Sequence, residues 1–472
     1  MERRAAQDTA VELVDSGQFL TAEEMFSERR TDDPKEMVVR AEVALYFARL
    51  EEAAALLEQV APRIADINVA GRFALTKGRV ALWQGNLAEA AMQLQTAYHF
   101  YAFHNDLFGL SHALLNLARL ARERGELQEA ADRLNDAENN ITGRTSRRTE
   151  YLRGLLASER AAVAADSGEI DQAKELYGEA CRLLKGTEKG RFYGRSLVGL
   201  ADLRCALGDF TESLEIYKEA NVTFERHDIR RDLAESQLKL AMALIRLKRY
   251  ERAEKLAQES QALQRGDAEI ESAALGVLAL IALQQGDTEK ARSYALPPVE
   301  LADRSGRVQA RSRARIVLGQ VQLAERDFKQ AVETLCEAAE LARNSNGSSA
   351  NRRLELEAII YLAEAYHHTD TRAGRAELMR ASELLNNLED AWLGDEFNRV
   401  STKYEEQIVF TDDNRLVFDG NQLPRWQEAK RTLEGFLLRN ALRQTNNSLT
   451  RAARKLGVSK VHVHNLKKKH NL

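Results

Sequence analysis

The sequence predicts an all-α fold, a long α-solenoid followed by a small C-terminal helical unit, and three observations predict it. The 472 residues are 44% hydrophobic and 30% charged, with 5 prolines and 6% aromatic residues, a helix-forming mixture rich in Ala, Leu, Glu and Arg. A short phrase recurs at a period near forty residues between residues 17 and 331. Residues 425–472 hold 12 Lys and Arg against 2 Asp and Glu, a net +10, while the 56 basic and 70 acidic side chains of residues 1–424 leave −14. One end of the chain is suited to an anion and the rest is not.

The phrase begins at Gly17, Ala48, Gly85, Gly125, Gly168, Gly208, Lys248, Gly286 and Arg326. It continues through a polar residue and then an apolar one (Thr288 in one copy). It reaches a small residue at Ala22, Ala53, Ala90, Ala130, Ala173, Ser213, Ala253, Ala291 and Ala331. Successive copies start 31 to 43 residues apart. Seven residues before each start stands another small residue: Ala10, Ala41, Gly78, Ala118, Ala161, Ala201, Ala241, Ala279 and Gly319. In five copies a leucine precedes it, at Leu117, Leu200, Leu240, Leu278 and Leu318. This pattern is one helical hairpin per repeat. Gly at a left-handed position ends the first helix, Asp or Asn opens the second, an aromatic residue or Leu plugs the gap, and the small residues let the backbones approach. Leu supplies the apolar side that the next hairpin covers. Chance in an Ala-rich helix would scatter small residues, but not at two linked positions with a steady period.

The phrase resembles the tetratricopeptide repeat, in which Gly-Asp-Tyr-x-x-Ala opens the second helix, and the resemblance covers roughly residues 5–390. The period exceeds the usual 34. It is similar to the forty-residue form of kinesin light chains and of sensor domains in bacterial transcription regulators, including the maltose-regulon activator. The resemblance implies about nine to ten hairpins over residues 1–392 and a concave groove that binds a protein, a peptide or a small ligand. In the last hairpin, Leu354 to Leu388, the stretch from His367 to Gly374 replaces the tight turn, which reads as a capping repeat.

Residues 393–424 read as a linker. Ile408 to Phe418 hold two short β-prone runs around Asp412, Asp413 and Asn414, which suits a small hairpin or, equally, a tether that carries a few Val and Phe.

Residues 425–472 read as three helices. The first, Trp426 to Arg443, follows Pro424 and has Trp426, Ala429, Leu433, Phe436, Leu437, Ala441 and Leu442 at spacings of three and four. Thr445 to Ser448 cap a short helix from Thr450 to Leu456; Gly457 to Ser459 make a turn, Gly457 supplying positive φ and Ser459 a cap, and Lys460 to Lys469 form the last helix. Ala452, Ala453, Leu456, Val458, Val463 and Leu466 then point inwards. Lys460, His462, His464, Asn465, Lys467, Lys468 and Lys469 stay outside.

Ser448-Leu-Thr-Arg-Ala-Ala-Arg-Lys-Leu-Gly-Val-Ser459 strongly resembles the Fis-type helix-turn-helix, over about 48 residues. Ser448 stands where that family usually has Asn, and the last helix reads Lys460-Val-His-Val-His-Asn465, so a half-site preference does not transfer. The resemblance implies a homodimer formed partly through the first helix. It puts Ser459, Lys460, His462, His464 and Asn465 at base edges or adjacent phosphates, and Ser448, Thr450 and Arg451 on the DNA backbone. Chemistry alone sorts them the same way. The start of a helix laid in the major groove reads purine edges through Lys and Asn, and helix N-termini and the run Lys467 to Lys469 hold phosphates.

The motifs that are absent narrow the function. No phosphate-loop, G-x-S-x-G, H-E-x-x-H or G-x-G-x-x-G pattern occurs, so no catalytic residue and no cofactor are expected. His462 and His464, two apart on a helix, do not share a metal easily. Cys181, Cys205 and Cys336 are odd in number and widely spaced, which suggests reduced core thiols. No leader-like or membrane-spanning apolar stretch occurs, so the cytoplasm is the expected location and no membrane partner is expected. Two functions fit. One is a transcription regulator, its solenoid sensing a partner and its tail binding double-stranded DNA. The other is a scaffold whose basic tail docks RNA or an acidic protein. An A-form RNA major groove is too narrow for a helix, so duplex recognition separates them.

Overall fold

The computed structural model describes residues 2–27, 32–63, 67–186, 190–345, 349–386, 388, 390–405, 426–445 and 447–470, and among them every regular element is helical. The β-prone stretch 408–418 lies outside the described residues. The first helices of successive hairpins are α1 (Glu2–Asp15), α3 (Pro34–Tyr46), α5 (Ile67–Trp83), α7 (Leu107–Glu123), α9 (Arg147–Asp166), α11 (Gly190–Ala206), α13 (Arg230–Arg246), α15 (Ala268–Gln284), α18 (Val308–Ala324) and α20 (Ser349–His367). Their partners are α2 (Phe19–Ser27), α4 (Leu50–Val60), α6 (Leu87–Phe103), α8 (Leu127–Ile141), α10 (Ile170–Leu184), α12 (Phe210–Arg226), α14 (Tyr250–Leu263), the pair α16 (Thr288–Ala295) and α17 (Pro297–Ser305), α19 (Phe328–Asn344) and α21 (Thr371–Leu385). The eighth hairpin's second helix is divided at Pro297 and Pro298, because proline lacks the N–H that would continue the ladder and its ring crowds the preceding turn.

Nine of the ten hairpin turns, all but the one between α20 and α21, are built the same way. All nine phrase-opening residues are left-handed, including Ala48, Lys248 and Arg326 at φ 59°, 57° and 63°. The next residue's N–H returns to the carbonyl five positions back, as in Arg49 to Ala44 at 2.8 Å, Asn86 to Ala81 at 2.9 Å and Asp327 to Gln322 at 2.9 Å. This closes a Schellman motif and satisfies a carbonyl the helix leaves orphaned. Asn86, Asp287 and Asp327 then cap the second helix, accepting from the N–H of Glu89, Lys290 and Gln330. Asp209 makes no such cap bond, and where the phrase has Glu126, Glu169, Arg49 or Arg249 no side chain caps either.

The small residues sit at the crossing. All nine phrase-closing residues, from Ala22 to Ala331, are fully buried, as are Ala41, Ala118, Ala161, Ala201, Ala241 and Ala279 on the first helices. A Cβ at Gly319 would come within 2.5 Å of Leu335, and one at Gly78 within 2.7 Å of Leu94. Larger side chains would wedge the hairpin apart.

Three features differ from the sequence reading. The last hairpin turns tightly after all: α20 ends at His367, α21 begins at Thr371, and Asp370 accepts from the N–H of Arg372 and Ala373. Gly374 lies inside α21, where a Cβ would strike Tyr404. The solenoid is capped by a further helix, α22 (Ala391–Glu405), formed by residues read as the start of a linker. Leu393, Val400 and Tyr404 are buried against α20 and α21, with Phe397 partly so. Their three- and four-residue spacing is the helical apolar stripe that the linker reading passed over. The three cysteines are half-buried rather than core; burial pushes the Cys181 thiol up to about 12.

Two substitutions test the hairpin. Gly319→Val should destabilise the chain by about 1–3 kcal/mol through overpacking. Arg326→Gly, which frees an exposed left-handed residue, should stabilise it by roughly 0.5–1 kcal/mol. Urea unfolding curves measure both, and a stabilised Gly319→Val would remove the close-approach account.

Candidate functional site

The wheel of the first helices locates the functional face. Relative to the small crossing residue, positions six and two before and one and five after fall within about 60° of one another on the opposite side. Those positions carry Arg72, His112, Arg195 and Glu235; Thr76, Asn116, Glu159 and Lys239; Glu42, Arg79, Arg119 and Asp202; and Tyr46, Trp83, Asp166 and Arg246. From α3 to α13 this face is therefore mainly polar, with Tyr46 and Trp83 on it, whereas Val39, Leu155 and Met242 and, on α15 and α18, Ala273, Val277, Leu280 and Val317 interrupt it.

Most of these charges are paired. Arg72 donates from Nε to Glu42 at 3.0 Å and meets Asp15 at 3.0 Å, and the Thr76 hydroxyl donates to Glu42 at 2.8 Å. Glu159 accepts from Arg119 at 2.9 Å and Arg122 at 2.7 Å. Burial pushes its carboxyl up, but the two guanidinium groups outweigh burial and hold it below the usual range. Lys239 donates to Asp202 at 2.7 Å.

Repeats distant in sequence meet across this face. Buried Arg191 donates to the carbonyls of Leu45 and, at 2.7 Å, Tyr46, at the C-terminal end of α3, and pairs with Asp232 at 2.7 Å. The end of α5 is held similarly. Arg191, Arg195 and Arg231 stand 4.7, 5.1 and 5.7 Å from the Trp83 ring, and Arg307 donates to the Trp83 carbonyl. Cations favour these helix ends because the last carbonyls are unsatisfied and carry the negative pole. Phe19 stacks on Tyr46 at 4.2 Å, and Phe192 lies 5.7 Å from both Tyr46 and Tyr151.

Between these contacts lies a cavity of about 80 Å³, lined by residues including Asp15, Glu42, Arg72, Arg79, Tyr101, His112, Asn116, Arg119, Tyr151 and Phe192. Burial, reinforced by Arg79, Arg72, Arg119 and Arg148, lowers the His112 pKa to about 3, so the ring is neutral at ordinary pH. The sequence reading assigned none of these residues; the four positions opposite the crossing residue of each first helix pick out Asp15, Glu42, Arg72, Arg79, His112, Asn116 and Arg119, but not Tyr101 on α6, Tyr151 or Phe192.

The C-terminal helices are α23 (Trp426–Gln444), α24 (Leu449–Leu456) and α25 (Lys460–Lys469). Leu438, Ala441, Leu442, Ala452, Ala453 and Val463 form their core, with Leu449, Leu456 and Leu466 partly buried. Val458, expected inside, is exposed in the turn, and on α23 Leu433 and Leu437 are exposed at 44% and 45% while Leu438 takes the core. Ala441 and Leu442 are buried as expected, while Leu438 takes the place of Leu433 and Leu437 because α24 and α25 pack on its side. Gly457 is left-handed at φ 67°, and the Ser459 hydroxyl accepts from the His462 N–H at 3.1 Å. Ser448 occupies the cap position of α24, but its side chain makes no cap hydrogen bond.

Thr450, Arg451, Ser459, Lys460, His462, His464, Asn465 and Lys468 are exposed, and Ser448 and Lys467 half-buried. Lys469 is exposed too but pairs with Glu434 of α23 at 2.8 Å. Among the described residues no helix is long and apolar enough to cross a membrane.

A family model described as the MalT-like TPR region matches residues 37–346. No curated protein matches the chain. Similar solved structures include the apo form of the quorum sensor NprR from B. thuringiensis, 14% identical over 74% of this chain and 98% of that one, TM-score 0.51. NprR in complex with its cognate peptide NprX is 14% identical over 75% and 99%, TM-score 0.50. Aspartyl phosphate phosphatase F from Bacillus subtilis is 13% identical over 73% and 94%, TM-score 0.50.

The buried charges make stability predictions. His112 takes up a proton near 6.5 when unfolded but only near 3 when folded. Between those values the unfolded chain binds more protons, so stability falls as the pH drops, by at most about 1.4 kcal/mol per pH unit. His112→Gln should flatten that slope between roughly pH 4 and 6; equal slopes for variant and wild type in denaturant titrations would refute a buried neutral ring. Arg191→Met leaves the buried Asp232 carboxylate with the exposed Arg195 guanidinium at 3.7 Å and uncaps α3, and should cost about 3–5 kcal/mol. A loss under about 1 kcal/mol by the same assay would mean the clasp is peripheral.

Proposed function

The chain belongs to the MalT-like tetratricopeptide-repeat family, and from that premise we propose that it is a regulator whose solenoid binds a peptide and whose C-terminal helices bind double-stranded DNA. The inner row of polar and aromatic side chains carries the first half. A face that only stacked hairpins would be apolar, whereas this one carries guanidinium, carboxylate, amide and phenol groups from α3 to α13, as an extended backbone with many donors and acceptors requires. The same fold holds a cognate peptide in the quorum sensor NprR.

The second half rests on the Fis-type pattern and on the exposure of its polar residues. With α25 laid in a major groove, Lys460 and Asn465 face base edges together with Ser459, His462 and His464. The N-terminus of α24, with Ser448, Thr450 and Arg451, faces the sugar-phosphate backbone. Lys467 and Lys468 serve as phosphate contacts, and Lys469 does so by exchanging Glu434 for phosphate. Leu433 and Leu437 supply an apolar seam for a homodimer through α23, which a two-fold operator requires.

Duplex titrations at several salt concentrations, on a selected site and a scrambled one, test the tail. Lys468→Ala should weaken both and reduce the salt slope by about 0.9. Asn465→Ala or Lys460→Ala should cost about 1–3 kcal/mol on the selected site and little on the scrambled one. Equal wild-type binding to both duplexes, or tighter binding to single-stranded RNA, would replace this reading with a basic docking tail.

A further inference from the structure

We propose that Val461 selects a thymine in the major groove by packing against its 5-methyl group, an assignment that rests on the duplex-DNA reading above and gives it a base preference. Helix α25 turns by about 100° per residue. Counted from Val463, which is fully buried in the tail's core, Val461, Asn465 and Lys468 fall at about 160°, 200° and 140°. All three are exposed, while Leu466, Lys467 and His470, on the side of Val463, are half-buried. The outermost ridge of the helix therefore runs valine, asparagine, lysine. Lys460 and His464 flank it on one side and His462 on the other. Val461 is the second residue of α25, whose start Ser459 fixes by accepting the His462 N–H. It stands at the end of the helix that meets base edges when such a helix enters the groove.

Val461 keeps 69% of its surface, and the tail's core closes without it on Leu438, Ala441, Leu442, Ala452, Ala453 and Val463. A single exposed valine is ordinary on a protein surface. This one holds the centre of a face whose other members are cations and hydrogen-bonding groups, in a unit that carries net +10 over residues 425–472. In the major groove adenine and cytosine present an amino group, guanine two acceptors, and thymine a methyl beside O4. A valine laid over an amino group strips its water and returns no hydrogen bond. Laid over thymine, it buries methyl against methyl and leaves O4 to a neighbour. Branching at Cβ holds the valine largely to one rotamer in a helix, so its methyls are in place before the duplex arrives and little freedom is lost on contact. Asn465 stands one turn further along the ridge, about 6 Å by the helical rise, and its amide suits adenine N6 and N7. With base pairs about 3.4 Å apart, the preferred half-site holds its thymine within about two base pairs of an adenine.

The test uses the full chain and a duplex selected by it from a random pool. Thymines of the selected site are replaced one at a time by deoxyuridine, which removes the methyl and keeps O4 and the pairing. Affinities are measured for wild type, Val461→Ser and Val461→Thr on the parent, deoxyuridine and scrambled duplexes. At one thymine per half-site, deoxyuridine should lower wild-type affinity about fourfold, the worth of one buried methyl-sized group. Val461→Ser should bind the parent and deoxyuridine duplexes alike, whereas Val461→Thr, which keeps one methyl, should keep part of the discrimination. On scrambled DNA Val461→Ser should stay within about twofold of wild type, since an exposed substitution leaves the tail folded. A larger loss there would show that Val461 serves the fold and would overturn the proposal. A wild type that ignores every deoxyuridine, or a Val461→Ser that still senses the methyl, overturns it too and leaves the duplex reading standing. A wild type that binds the selected and scrambled duplexes equally overturns both.

Discussion

Two helices of one hairpin can close on each other only where nothing larger than a methyl group or a small hydroxyl stands between their backbones. That constraint organises the solenoid. The phrase-closing residues are fully buried in every copy, and the turn that brings them to the crossing is held by the same five-residue backbone hydrogen bond each time. The bond is strong enough that Ala48, Lys248 and Arg326 accept the left-handed conformation that glycine takes elsewhere. A turn fixed by its backbone can vary its side chains, which is why the phrase drifts while the hairpin does not.

With one side of each first helix committed to the crossing, the opposite side is free for polar work. Arginines at this face cap the carbonyl ends of helices several repeats away, so Tyr46 and Trp83 meet α11, α13 and α18 rather than only their neighbours. A solenoid usually interacts only between adjacent repeats. Here hydrogen bonds to helix-end carbonyls and cation–π contacts couple distant hairpins. The same packing forms the cavity, because Phe19, Tyr151 and Phe192 close it on one side while Arg72 and Arg119 are drawn to their own carboxylates on the other.

Much of this was legible in the residues. The small residues and the phrase announced the hairpins and their turns, and the boundaries of α24 and α25 follow from Gly457 and Ser459 within a residue of where helices stop and start. Helix α22 was legible too, in the three- and four-residue spacing of Leu393, Phe397, Val400 and Tyr404. On α23 the apolar residues outnumber the places in the core. Only the packing of α24 and α25 chooses Leu438 and leaves Leu433 and Leu437 outside.

The sequence by itself determined whatever depends on neighbours along the chain: helix type, hairpin period, left-handed turns, caps, and the segregation of positive charge into the last 48 residues. The tertiary structure alone decided which charges find partners. Arg191 reaches Leu45 and Tyr46 across some 145 residues, and Arg307 reaches Trp83 across 224. Helical periodicity places a side chain on a face, but the partner it meets there depends on how the repeats coil, and small differences summed over many hairpins set that coil.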